Sequence, residues 1–397
     1  MKWPANRIAE STPSSFGMYQ KARQPKYAGV DLIHLEVGKP NFDTPTHIKE
    51  AAKKALDDGV VHYGEFPGET VLREAIADRL RNEKKLDVDP GQIIVTNGLT
   101  HASFAVFFAA IDPGDEAIIL EPYYPQHISK IELAGGVPVF APLDRENGYI
   151  IDAAAIEARI TPRTRMILLV NPSNPTGRVY TREELQSVAD LARKHDLLVL
   201  SDEVYEEIVF DDVEHVSIAS LPGMAERTFS LFAFTKSHAM DGWRLGYIAA
   251  DPRFIPALLQ ITIADVTHVN VFSQYGALAA LTGDPAPRAA IHAEDTRRRD
   301  LTVAGLNALA GVECRAPEGS VYAFPDIRGT GMSSQDFADE MLDHAHVVVE
   351  SGTFYGPMGE GHVRLCFGSE PYERIEEALD RMAKYLNGGL ARVRAGG

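Results

Sequence analysis

The sequence predicts an α/β protein: a large domain with a mostly parallel sheet flanked by helices, plus a smaller α+β domain. Three observations carry the prediction. Short apolar runs alternate with helix-period segments from about residue 46 to 285. Two of those runs, 166–170 and 197–200, are apolar throughout, as strands buried on both faces are. After about residue 286 the pattern changes to a charged helix around Arg297-Arg298-Arg299-Asp300, then β runs separated by helical segments.

In chain order, residues 1–45 carry Pro, Ser and Gly and then a strand candidate, Leu32-Ile33-His34-Leu35, ending at Val37-Gly38-Lys39-Pro40. Val71, Leu72, Ala75, Ile76 and Leu80 fall on one helical stripe. Strands are expected at 93–95, 117–120, 137–140, 166–170, 197–200, 228–231 and 247–250, with a helix at 101–111 after the first of them. Thr181 with Glu184 forms a capping box that opens a helix running to about His195. In the tail, β runs are expected at 321–324, 347–349 and 363–366. The organisation is therefore 1–45, a large domain over 46–285 and a small domain over 286–397.

Bulk properties exclude several classes of function. A chain of 397 residues can bury a sizeable core, and a charged fraction of 24% is ordinary for a soluble globular protein. A formal charge of -17 argues against a nucleic-acid partner, which needs a basic face. Cys314 and Cys366 are the only cysteines, without the spacing of a metal site or a disulfide framework, so no metal is expected. The first fifteen residues lack the apolar core of a signal peptide. The longest strongly apolar run, 102–111, is too short to cross a bilayer. No membrane association and a cytoplasmic location are expected.

Several motifs follow predicted strands, where a parallel sheet binds its ligands. Asn97-Gly98-Leu99-Thr100 leads into a helix, whose first N–H groups suit an anion; such a turn also serves as a plain connection. Asn171-Pro172-Ser173-Asn174-Pro175-Thr176-Gly177 holds an asparagine in a loop stiffened by prolines, in a composition that ordinary turns share. Asp202 ends a strand three residues before Tyr205, and an aspartate there serves equally as a cap. Lys236 lies between the apolar run 229–234 and a loop, and a lysine in an apolar setting can lose its proton and act as an amine nucleophile. Arg244 offers a planar fork suited to phosphate, and Arg364 sits in an apolar strand, where its charge needs a partner.

With these motifs in order, the chain resembles the pyridoxal-phosphate enzymes of the aspartate aminotransferase superfamily (class I/II, fold type I). It is closest to the bacterial subgroup with a GxPxFxTP start, here Gly38 to Pro45. The resemblance spans 37–45, 63–77, 95–102, 122–127, 171–177, 201–205, 235–247, 317–324 and 363–367. It implies a small domain assembled from the N- and C-terminal segments. It implies Lys236 as the Schiff-base lysine and proton shuttle, Asp202 at the pyridinium nitrogen, and Tyr205 and Asn174 at the ring's phenolic oxygen. Arg244, Thr235 and the Gly98, Leu99 and Thr100 turn would hold the phosphate, and Tyr124 would stack on the ring with His127 behind Asp202. Arg364, with Gly38 and Asn174 nearby, would clamp the substrate carboxylate. Tyr63 would reach the neighbouring subunit's cofactor, which implies a homodimer.

Three positions depart from the family pattern. Ala233 stands where a phosphate-binding serine is common, with Thr235 as a partial replacement. Asp241 adds a negative charge beside the phosphate side. Thr100 stands where the subgroup's aspartate enzymes have a lysine for a second carboxylate, which favours a neutral or aromatic donor, with Phe16 and His101 expected in the pocket. The expected activity is transamination of an L-amino acid with a 2-oxo acid. The alternative is elimination of a β or γ group, as in C–S lyases and aminocyclopropane carboxylate synthases. A cofactor-sensing regulator is not expected, given the short segment before Gly38 and the acidic charge.

Overall fold

The computed structural model describes residues 3–9, 11–12 and 17–395, with side chains to 387. A short strand β1 (Ile33–His34) precedes the seven strands of the main sheet: β2 (Ile93–Thr96), β3 (Glu116–Glu121), β4 (Val137–Pro142), β5 (Thr164–Val170), β6 (Leu198–Asp202), β7 (Thr228–Ala233) and β8 (Gly246–Ala249). Four short strands follow: β9 (Tyr322–Ala323), β10 (Val347–Val348), β11 (Glu350–Ser351) and β12 (Val363–Cys366). All the strands expected from the apolar runs are present.

The main sheet has the order β2-β8-β7-β6-β5-β3-β4, with β8 antiparallel to both of its neighbours and the other pairs parallel. Alternate residues of a strand point to opposite faces, and the two apolar faces here have separate covers. Met166 and Leu168 pack with Ala102, Val106 and Phe107 of the helix Gly98–Ala110. Ile167 and Leu169 pack with Leu185, Val188 and Ala189 of the helix Arg182–Lys194. That second helix opens as expected: Thr181 Oγ1 accepts from Glu184 N at 3.2 Å, and Glu184 Oε2 accepts from Thr181 N at 2.8 Å. The striped helix runs over Thr70–Lys84, and the charged helix of the tail over Ala286–Asn307.

The N-terminal residues pack with the tail. β1 pairs in parallel with β10, and β11-β12-β9 form an antiparallel sheet. Met18, Ile33 and Leu35 share one buried cluster with Leu306, Phe337, Val347, Leu365 and Leu379. This packing carries Gly38 and Arg364 toward the carboxyl edge of the main sheet. Among the described residues no helix is long and apolar enough to cross a membrane, and no cluster could hold a metal ion.

Candidate active site

A cleft of about 780 Å³ opens at the carboxyl edge of the sheet. The parallel strands all deliver their carboxyl ends to this edge, so residues far apart in sequence meet there. β2 runs through Asn97 into the Gly98–Ala110 helix, Asp202 is the last residue of β6, and Lys236 lies just past β7. The cleft lining includes Gly38, Leu99, Thr100, Tyr124, His127, Asn174, Asp202, Tyr205, Thr235, Lys236, Arg244 and Arg364.

Lys236 is partly open to the cleft, but most of its stem is packed in protein, and Nζ donates to the Gly38 carbonyl oxygen. Burial holds its pKa below the ordinary lysine value; Arg364 and Arg244 push the same way, and Cys366 and Asp241 oppose. The amine is thus poised to be neutral and nucleophilic.

Asp202 is 4% exposed, and its Oδ2 lies 3.2 Å from His127 Nε2. Its Oδ1 accepts from Val204 N at 3.3 Å, so the carboxylate caps its own turn as well as facing the cleft. Burial, reinforced by the charge of Lys130, pushes the His127 pKa down, while Asp202 draws it up. A neutral imidazole carries one ring hydrogen, and an acceptor at Nε2 assigns it there. His127 Nδ1 is then a buried acceptor without a partner. The Tyr124 ring meets the imidazole edge-on at 5.3 Å.

On the opposite wall, Arg364 is 6% exposed. Its Nη1 donates to Asn174 Oδ1 at 3.0 Å and its Nη2 donates to the Glu36 carbonyl oxygen. The guanidinium lies 4.1 Å from the Tyr322 ring centroid and 5.0 Å from that of Tyr355. Nε has no partner, and among the described residues no carboxylate lies within 4.0 Å of this cation. A buried charge in such a setting awaits an anion. Tyr205 and Tyr322 share a hydroxyl hydrogen bond of 2.8 Å, and burial raises both phenol pKa values, so both stay neutral donors. With its oxygen engaged by Arg364, Asn174 has its Nδ2 donor left over.

The third wall suits a phosphate. Gly98 opens its helix at φ +75°, and a Cβ there would stand 2.5 Å from Arg244 Nη2. That approach sets a guanidinium over a helix start whose first N–H groups have no acceptor within the helix. Arg244 is itself left-handed at φ 56° and anchored by Nη1 donating to the Asp241 carbonyl at 2.8 Å. Asp241 is exposed to water, so the negative charge it adds beside the phosphate side is solvated. An amine, a carboxylate, a phenol and a phosphate cradle around one cleft fit pyridoxal phosphate.

Some expected residues lie elsewhere. His101 is not in the cleft: its Nδ1 accepts from Asn97 N at 3.0 Å and its Nε2 lies 3.7 Å from Asp265. Its two ring nitrogens are thus turned to the backbone of Asn97 and to the helix Ile255–Asp265. Phe16 lies outside the described residues. Tyr63 is 89% exposed, edge-on to His268 at 5.6 Å, and does not line its own chain's cleft. The motif reading missed Tyr322, Tyr355, Glu350 and Lys130, all of which line the cleft. Tyr322 had a signal, being a phenol inside a predicted strand. Lys130 had none.

Residues 30–382 match the family model described as aminotransferase class I and II. The chain is 41% identical to an aspartate aminotransferase of Pyrococcus abyssi, over 90% of this chain and 92% of the relative. It is 40% identical to aromatic-amino-acid aminotransferase 2 of Thermococcus litoralis, over 89% and 92%. Among solved structures, aspartate aminotransferase from Thermus thermophilus with maleate superposes with a TM-score of 0.91 at 36% identity, over 97% of this chain and all (100%) of that one. With a model match across most of its length and relatives of this similarity, the chain belongs to the class I and II aminotransferases.

Proposed function

We propose that this aminotransferase is pyridoxal 5'-phosphate-dependent and moves the amino group of an L-amino acid to a 2-oxo acid by a ping-pong cycle, with Lys236 as its Schiff-base lysine. The observation that carries the reading is the pairing of a half-buried lysine of depressed pKa with a buried arginine that lacks a carboxylate partner, across one cleft. When bound, the cofactor supplies a carbonyl carbon and an electron-withdrawing ring.

The protein supplies the rest. Arg364 clamps the substrate α-carboxylate with the Gly38 backbone beside it, which presents Cα to Lys236. The Lys236 amine would take the proton from the substrate Cα and carry it along that face of the cleft. Asp202, hydrogen-bonded by His127, would hold the ring nitrogen's proton. Tyr205 and Asn174 would donate to the ring's phenolic oxygen, and Tyr124 would face the ring. Arg244, Thr235 and the N–H groups of Gly98, Leu99 and Thr100 would hold the phosphate. We place Tyr63 at the neighbouring site of a homodimer, and divide the chain into 1–45 with 286–397 as the small domain and 46–285 as the large one.

The donor we favour has no second carboxylate. Thr100 leaves the phosphate turn without a lysine, the carboxylates of Glu36 and Glu350 line the cleft, and Tyr19 and Phe354 add aromatic surface. Borohydride reduction of the holoenzyme followed by peptide mass analysis tests the cofactor reading: a pyridoxyl adduct on Lys236, absent in Lys236→Ala, is expected, and no adduct in the wild type overturns it. A panel of donors against 2-oxoglutarate and pyruvate then tests the reaction. Stoichiometric keto acid with new amino acid supports transamination, and catalytic ammonia release refutes it.

A further inference from the structure

Lys130 is a buried cation that the reaction above does not use. It is 7% exposed, lines the cleft, and stands on the helix Gln126–Leu133 one turn after His127. Its Nζ donates to Ser103 Oγ at 2.8 Å, its one hydrogen-bond partner among the described residues. Ser103 in turn donates to the Leu99 carbonyl at 2.8 Å, so Lys130 is tied to the helix that opens with the phosphate turn. Burial pulls the Lys130 pKa down to about 8, and Asp202 counteracts this. A protonated amine therefore persists at neutral pH beside an imidazole whose Nδ1 is buried and unpartnered.

A buried ammonium is costly to keep and poorly satisfied by one hydroxyl. On a helix face it would be replaced by an apolar residue if packing were its only task. The groups facing His127 are Asp202 from β6, Tyr124 from the turn before its helix and Lys130, and Phe107 packs edge-on at 6.0 Å. Of these Lys130 is the one cation, and a like charge opposes protonation of the imidazole.

We propose that Lys130 is a positioning residue for the ring-nitrogen carboxylate: held by Ser103 beside the His127–Asp202 pair, its charge adds to burial in disfavouring a charged His127, which leaves the Nε2 hydrogen donated to Asp202. A neutral imidazole hydrogen-bonds Asp202 without setting a second charge against it. The assignment of that carboxylate to a cofactor ring rests on the proposed function; the Lys130–His127 coupling does not.

The test is NMR of ring-labelled histidine in the holoenzyme, with His127 assigned through His127→Asn. In wild type, His127 is expected to remain the neutral Nε2–H tautomer through the neutral range. In Lys130→Met, which conserves volume, its pKa is expected to rise by about one unit. In Lys130→Arg, which keeps the charge, it should stay as in wild type. An unchanged His127 titration in Lys130→Met, or a rise in Lys130→Arg as large as in Lys130→Met, overturns the inference. If Lys130→Met does not fold, Ser103→Ala decides: loss of the anchor should raise the His127 pKa, and no change refutes the coupling. An expected NMR result with no borohydride adduct on Lys236 would overturn the cofactor reading and leave this one standing.

Discussion

Arg364, Lys236 and Lys130 are three basic residues in one cleft, each with a different neighbourhood. Arg364 has its planar fork fixed by Asn174, the Glu36 carbonyl and two aromatic faces, so it stays charged and oriented. Lysine at this position would keep the charge but lose the fork and the stacking. Arg364→Lys is therefore expected to raise KM for the amino donor roughly 10- to 100-fold, the value of one charge-assisted hydrogen bond, with a smaller change in kcat. Steady-state kinetics with a fixed acceptor measures this, and an unchanged KM would remove Arg364 from carboxylate binding. Lys236 and Arg364 stood out in the sequence because the first follows an apolar run into a loop and the second interrupts one. Lys130 sits among Gln126, Ser129 and Glu132, so it reads as a surface lysine. Only the packing of its helix against the Gly98–Ala110 helix buries it.

At the scale of elements, the strands were legible because burial on both faces makes them apolar from end to end. Their ends were legible too, and with them the edge where Asn174, Asp202 and Lys236 meet. The direction of β8 was not read. A parallel neighbour needs a long crossover, usually helical, while residues 234–245 between β7 and β8 hold only turns and a short 3-10 helix, so β8 returns antiparallel. The small strands were legible as runs, but the pairing of β1 with β10 joins residues more than 300 positions apart. Glu350 of β11 is one such contact. It accepts from Met18 N at 3.0 Å, which fastens the helix Gly17–Ala22, and lies across from Arg364 in register. Burial pushes its carboxyl pKa from the ordinary 4.5 up to about 7. The folded form then binds more protons than the unfolded form between those values, so this carboxyl's contribution to stability is complete below 4.5 and is lost as pH rises through 7. Replacing it by an amide of the same shape removes the dependence. Thermal or urea unfolding of Glu350→Gln should gain on wild type by about 3 kcal/mol in total across that window. A difference between the two proteins that does not change with pH would show that Glu350 titrates normally.

At the scale of the whole molecule, the proposed place of Tyr63 at a neighbouring chain's cleft rests on where the residue lies. It is 89% exposed, next to Val61 at 57% and Phe66 at 50%, on a surface outside its own cleft. Large apolar side chains left open together mark a surface made for another protein. A two-fold pair of identical chains would bury the same patch twice and place each tyrosine at the other's cleft. A hybrid experiment separates the arrangements. Lys236→Ala leaves a chain with Tyr63 but no amine, and Tyr63→Ala leaves one with the amine but no tyrosine. In a hybrid with shared sites, the Lys236→Ala chain lends its Tyr63 to the Lys236 of its partner, which rebuilds one complete site per dimer. Random reassociation of equal amounts should then make roughly a quarter of all sites complete. Activity well above the sum of the two separate variants is the expected result. If Tyr63 served its own chain, every site in the mixture would lack one group or the other. Activity would then stay at the average of the two parents, and the shared-site arrangement would be wrong.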